Sequence, residues 1–256
     1  MKIGCSSWSF HRDIAEKRLT FDGFLEACAE MKMDGVELLD FHLPTKDPAH
    51  LKEVKRKTDL LNLDVCALAV SNDFIKADPK ELQSQIDYVN QWIRMAAMLK
   101  VKVVRVFGGD IHGGEGPEKA YEMIKAGFQN CVRLAKSYGV TLALENHGTF
   151  TSNPNIVLRL INEFKSESFR SCLDAGNFSS QIRYEAVKRV APFAVHVHAK
   201  TYNFDEGGNE TLIDYKRVMS ILRETGYHGF LSIEYEGLGD ETQGVKKSYE
   251  LLKRLL

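Results

Sequence analysis

The chain lacks any pair of cysteines spaced as CxxC, any apolar run long enough to cross a bilayer, and any excess of one charge. Each absence removes a class of protein. The five cysteines, Cys5, Cys28, Cys66, Cys131 and Cys172, are odd in number and scattered. That argues against a disulfide framework or a structural zinc site, and for small core residues in a reducing compartment. The opening Met1-Lys2-Ile3-Gly4-Cys5-Ser6 runs into an apparent strand without the apolar core of a signal peptide, so a cytoplasmic location is expected. A net charge of −1 gives no basic field to attract nucleic acid or an anionic membrane, and neither is expected as a partner. Basic runs such as Lys55-Arg56-Lys57 read as solvated helix faces. What remains, at 256 residues with 44% hydrophobic and 27% charged, is an ordinary globular chain of a length that suits one α/β barrel.

What the sequence does contain is an alternation of short apolar runs with amphipathic helical stretches. Eight runs read as strands: 2–5, 35–39, 64–70, 101–107, 140–145, 169–174, 194–199 and 230–234. They recur at roughly the spacing of a βα unit. Asp47-Pro48, Asp78-Pro79 and Asn153-Pro154 each place an N-cap residue before a proline at the first helical position. Gly35, Gly139 and Gly226 stand where helical runs are expected to stop. Eight such units favour a parallel sheet closed into a (β/α)8 TIM barrel, as a single domain over residues 1–256. The rival doubly wound sheet is disfavoured by the lack of a Gly-x-Gly-x-x-Gly turn after the first strand.

In such a barrel the chemistry lies at the C-terminal strand ends, and there the last four strands carry polar residues. Strand five ends at Glu145, with His147 two positions on and on the same side, because strand side chains alternate. Strand six ends at Asp174. Strand seven carries His196, His198 and Lys200 on one side, and strand eight carries Ser232, Glu234 and Glu236. Taken alone, Asp174 reads as a helix cap, one of the histidines as a wall residue and Glu236 as a rim charge. Together, carboxylates converging on one rim would repel strongly unless a cation neutralised them. Three oxygens and one imidazole suit one divalent ion, with Mn²⁺ favoured and Mg²⁺, Co²⁺ and Zn²⁺ also compatible.

In order and spacing, these segments resemble the sugar phosphate isomerase/epimerase superfamily with the xylose isomerase-like TIM barrel. The resemblance runs through Ile3-Gly4-Cys5-Ser6-Ser7-Trp8-Ser9-Phe10, Asp34-Gly35-Val36-Glu37-Leu38 and Leu144-Glu145-Asn146-His147. It continues through Leu173-Asp174-Ala175-Gly176-Asn177, His196-Val197-His198-Ala199-Lys200 and Gly229-Phe230-Leu231-Ser232-Ile233-Glu234. It implies Glu145, Asp174, His198 and Glu234 as metal ligands. Thr201 departs from the aspartate that many relatives carry after the lysine, and Asn177 from the histidine of the epimerase branch.

The chemistry that follows is proton transfer next to a carbonyl, with Glu145 and Glu234 as acid and base and the metal stabilising an enediolate. Isomerisation or epimerisation of a sugar or sugar phosphate is the expected outcome, and dehydration of a keto-inositol the alternative. Trp8, Phe10, His147, Asn177, His196 and Lys200 are the expected substrate contacts, so the partner is a small sugar or polyol, with a homo-oligomer left open. An abasic-site endonuclease with three zinc ions is a weaker reading, since Asn177 replaces a ligand-type histidine; a non-catalytic sugar-binding barrel is another. The loop Gly108–Pro117 lacks the Gly-Lys-Ser/Thr ending of a phosphate-binding loop and reads as a mobile rim loop. Arg105 is expected either to meet an anionic substrate or to pair with Glu37.

Overall fold

All eight apolar runs form strands in the computed structural model, which describes every residue except His112. They are β1 Lys2–Ser6, β2 Gly35–Leu39, β3 Asp64–Ala69, β4 Val103–Val106, β5 Thr141–Glu145, β6 Phe169–Asp174, β7 Ala194–Thr201 and β8 Phe230–Tyr235. Each pairs in parallel with the next, and β1 pairs with β8, with Lys2 opposite Phe230 and Cys5 opposite Ile233. The sheet is therefore closed. Strand β4 is shorter than its apolar run, whereas β7 continues past Ala199 to Thr201 and so carries Lys200 within the sheet.

The helices are α1 His11–Ala15, α2 Phe21–Glu30, α3 Pro48–Leu60, α4 Pro79–Met98, α5 Pro117–Tyr138, α6 Pro154–Phe164, α7 Arg183–Val190, α8 Tyr215–Glu224 and α9 Glu241–Leu255. The three Asx-Pro signals begin α3, α4 and α6. Asp47, Asp78 and Asn153 each accept the backbone N–H two residues on, a contact worth about 1 kcal/mol per helix. Gly139 and Gly226 do stop helices, in the left-handed region at φ 64° and 71°. Gly35 does not. It opens β2, and the chain leaving α2 turns at Lys32 instead, with φ 58°. Glycine is needed at 35 for space: a Cβ there would lie 2.6 Å from the Asp64 carbonyl oxygen and 2.9 Å from the Phe230 ring.

Alternation along the strands separates two environments. Val36, Leu38, Val104, Val106, Leu142, Leu144, Leu231 and Ile233 join the apolar layer beneath the helices, with Trp92, Phe128 and Phe169. Buried on the other face are Glu37, Arg105, Glu145, His196 and His198, charged or titratable groups that must satisfy one another inside the barrel. All five cysteines are buried free thiols. Among the described residues no helix is long and apolar enough to cross a membrane.

Candidate active site

Strand register sets the polar cluster at the barrel mouth. Asp174 on β6 lies opposite His198 on β7, and Lys200 on β7 opposite Glu234 on β8. Donor atoms of Glu145, Asp174, His198 and Glu234 all fall within 4.8 Å of one another, and all four side chains are buried. The four strand-end residues thus converge, and the two glutamates share one small space.

Protonation argues that this space suits a cation. His198 Nε2 lies 3.0 and 3.1 Å from the two oxygens of Glu37, which also takes His196 Nε2 at 2.9 Å. A neutral His198 that donates from Nε2 presents a bare lone pair at Nδ1. That nitrogen has no hydrogen-bond partner and looks at Glu145 Oε1 at 3.5 Å and Glu234 Oε1 at 3.4 Å. A lone pair facing two carboxylates requires a proton or a metal ion between them. Asp174 Oδ2 faces the Lys200 ammonium at 3.0 Å, while its Oδ1 takes the backbone N–H groups of Gly176 and Asn177. An unpartnered imidazole nitrogen aimed among three carboxylates, with Glu37 behind the ring, matches the carboxylate–histidine–metal arrangement.

Around the cluster, side chains hold the ligand-type residues in place. Asn177 donates to Glu145 Oε1 at 3.0 Å and accepts from Lys200 Nζ at 3.0 Å, which fixes its amide orientation. The Lys200 ammonium lies 3.0 Å from Asp174, 3.3 Å from Glu234 and 3.2 Å from Glu236. Asn146 clasps the backbone of Asp174 with reciprocal bonds of 2.7 and 2.9 Å. Arg105 is placed 3.3 Å from Glu145 and 3.9 Å from Glu37, so both acidic neighbours are answered by one buried guanidinium.

Above the cluster opens a cavity of about 260 Å³. Glu145, Glu234, Lys200 and Arg105 form its floor, and Trp8, Leu39, Phe41, Phe107 and His147 its walls. Trp8 is anchored at the β1–β8 seam, where its indole N–H donates to Glu236 at 2.9 Å. The Ser9 hydroxyl, next along the chain, bonds the Ile233 carbonyl at 2.8 Å and receives the Tyr235 N–H at 3.0 Å. Phe107 stacks between the Arg105 guanidinium at 4.0 Å and the His147 ring at 4.4 Å.

With that geometry in view, comparison with known proteins is decisive at the level of family: the profile of the xylose isomerase-like TIM barrel matches residues 25–255. The chain belongs to that family. This xylose isomerase-like barrel is 24% identical to an uncharacterized protein, MJ1311, of Methanocaldococcus jannaschii over 277 residues, covering 100% of this chain and 89% of the relative. It is 21% identical to an inosose dehydratase of Histophilus somni over 254 residues, 83% of this chain and 82% of that one. Among solved structures, a D-tagatose 3-epimerase-like protein superposes with a TM-score of 0.81 at 20% identity, covering 100% of this chain and 98% of its own. An IolI protein with a bound zinc atom gives 0.81 at 18% identity, covering 100% and 98%.

Within this xylose isomerase-like barrel, the expected contacts divide. Trp8, His147 and Lys200 line the cavity. Phe10 does not: it closes the short 3₁₀ turn Ser7–Phe10, which breaks strand alternation, and its ring is fully buried against Phe24 at 5.8 Å. His196 lies beneath the cluster, committed to Glu37, and Asn177 braces Glu145 and Lys200 from the side. Sequence reasoning did not identify Leu39, Phe41, Ser71 and Phe107 as cavity walls. They lie at or just past the ends of β2, β3 and β4, where the strand–helix loops decide which side chains turn inward. Of the loop Gly108–Pro117, His112 lies outside the described residues; the loop's last residue, Pro117, begins α5.

Electrostatics push the two glutamates apart. Burial raises the Glu234 carboxyl to about 7, against the pull of His198 and Lys200. Burial acts on Glu145 too, but His198 and Arg105 outweigh it and hold that group below the usual carboxylate range. Burial would lower the His198 pKa, yet the acidic groups around it, Cys172, Glu234, Glu37 and Glu145, keep it well above its ordinary value. A metal ion entering here must therefore displace protons. Affinity for Mn²⁺ should rise steeply with pH up to about 7, where Glu234 loses its proton, and keep rising less steeply above it while His198 still holds one, with proton release on binding. Calorimetric titration in buffers of different ionisation heat measures both, and a pH-independent affinity would contradict the assignment.

Proposed function

We propose that the chain is a divalent-metal-dependent isomerase or epimerase that moves a proton at the carbon beside the carbonyl of a sugar or polyol. The observation that carries this reading is the pair Glu145 and Glu234: buried, with donor atoms within 4.8 Å, and pushed to opposite sides of the ordinary carboxylate range. Two like groups with separated pKa values are what acid and base roles at one carbon require. Glu145, Asp174, His198 and Glu234 would hold the ion, Mn²⁺ foremost. When bound, it supplies positive charge beside the carbonyl oxygen and stabilises the negative charge that develops there.

The remaining steps belong to the chain. Glu145, held ionised by His198 and Arg105, takes the proton from the carbon next to the carbonyl. Glu234, raised to about 7 and so able to carry a proton, faces it and gives that proton to the opposite face of the same carbon for epimerisation, or to the neighbouring carbon for isomerisation, and the proton left on Glu145 returns to solvent. Lys200 and His147 offer hydrogen bonds to hydroxyl and carbonyl oxygens, and Trp8 and Phe107 keep water from the reacting carbon. The five buried thiols suit the reducing cytoplasm as the place of action.

Dehydration is the second reading, favoured by the similarity to an inosose dehydratase over most of both chains. It shares the first proton abstraction and differs in losing a β-hydroxyl afterwards. The test is exchange in D₂O by the metal-loaded protein with a panel of ketoses, inosose and hydroxypyruvate, followed by NMR. Deuterium beside the carbonyl of at least one sugar is the expected result; loss of water with a new double bond selects the dehydratase. No exchange or elimination with any member of the panel overturns the proposal.

A further inference from the structure

An open groove with a volume of about 610 Å³ adjoins the first cavity and shares two of its walls, Phe41 and Ser71. Its far side is one face of α4, where Ser84, Tyr88 and Gln91 recur at positions i, i+4 and i+7. From the structure we infer that this outer groove is a subsite for a second, uncharged sugar ring, so that the substrate is a glycosylated keto-sugar rather than a free monosaccharide. The inference rests on the proton-transfer reading above, because it takes the first cavity as the place of the reacting ring.

Three observations support it. The inner cavity, about 260 Å³, falls just below the roughly 300–1,000 Å³ of small-ligand sites, which leaves room for one ring but not two. The shared wall is built: Asp40, buried at 1% exposure, takes the Ser71 N–H at 2.9 Å, the Ser71 hydroxyl at 3.0 Å and the Tyr88 hydroxyl at 2.6 Å. One carboxylate thus fixes both the partition and the aromatic floor of the outer groove. Phe41, 52% exposed, stands on the partition with an apolar ring that neither cavity covers. The exposed Phe41 ring beside hydroxyl and amide groups suits a pyranose, whose C–H faces stack while its hydroxyls bond.

Charge excludes a phosphate as the occupant. Asp40 and Asp87 oppose a single cation, Lys46, and that ammonium is spent on Tyr88, 2.5 Å from its hydroxyl and 4.7 Å above its ring. An anion placed there would meet net negative charge.

The experiment compares D-fructose with turanose, lactulose and isomaltulose, three glycosyl-fructoses that keep the ketose, by calorimetric titration of the Mn²⁺-loaded protein. Ser84→Trp and Gln91→Trp fill the outer groove at exposed helix positions, where the barrel tolerates them. At least one disaccharide should bind about tenfold more tightly than fructose, equivalent to roughly 1.4 kcal/mol of added contact. Both substitutions should erase that advantage and leave fructose affinity unchanged. Disaccharides no tighter than fructose, or an advantage that survives both tryptophans, overturn the inference. A tryptophan-sensitive advantage without deuterium exchange for any sugar would uphold the subsite and defeat the proton-transfer reading. Binding of none of the four sugars defeats both.

Discussion

Glu234→Gln should reduce turnover by about 10²–10⁴-fold, the usual worth of a positioned acid–base group, while leaving the barrel folded. The substitution keeps the shape of the side chain and a carbonyl oxygen for Lys200, 3.3 Å away, so little packing changes. What disappears is a group poised near neutrality. Glu145→Gln should cost a similar factor and also lower the melting temperature. It removes the nearer carboxylate from the buried Arg105, at 3.3 Å, and leaves Glu37 at 3.9 Å as the remaining ion pair. Breaking a buried pair from one side typically costs about 3–5 kcal/mol. Deuterium exchange and thermal melts of both variants read the two effects separately. Exchange at the wild-type rate in either variant would defeat the acid–base assignment.

Metal loading should stabilise the protein strongly. An ion that binds only the folded state adds about 4 kcal/mol at a thousandfold excess over its dissociation constant, and removal with a chelator should reverse the shift in melting temperature. Asp174→Asn is the discriminating variant. Oδ1 keeps its bonds to Gly176 and Asn177, so the loop after β6 is preserved, but an amide nitrogen replaces the Oδ2 that faces Lys200 and the other ligand-type atoms. The metal-free melting temperature should fall, because Lys200 loses the charge of its Asp174 partner at 3.0 Å, and the further shift on adding metal should vanish. An unchanged shift would mean that the ion binds elsewhere.

The fold was legible because a closed parallel barrel repeats one local signal. Every strand is flanked by its own turn chemistry, and Asp47, Asp78 and Asn153 each cap the helix they announce. The convergence of Glu145, Asp174, His198 and Glu234 was legible for the same reason, since strand ends in a barrel share one rim. Gly35 was misread because its signal, a glycine after a helical run, is the same for a cap and for a close approach. Phe10 was expected beside Trp8 as a wall of the pocket, but the 3₁₀ turn Ser7–Phe10 sends its ring into the core against Phe24. The role of Glu37 beneath two histidines was invisible, because it depends on a pairing across 159 and 161 residues of sequence.

The origin of each part of the pocket has a practical consequence. Every proposed cation-holding side chain comes from residues 145–234, whereas the aromatic and apolar wall of Trp8, Leu39, Phe41 and Phe107 comes from the first 107 residues. Recombining half-barrels should therefore exchange selectivity for sugars while retaining the reaction. The crossover must preserve Glu37 and Arg105, the two groups from the first half that reach the ligand-type residues of the second. A chimera that loses either would inherit a well-shaped pocket over an unsupported centre.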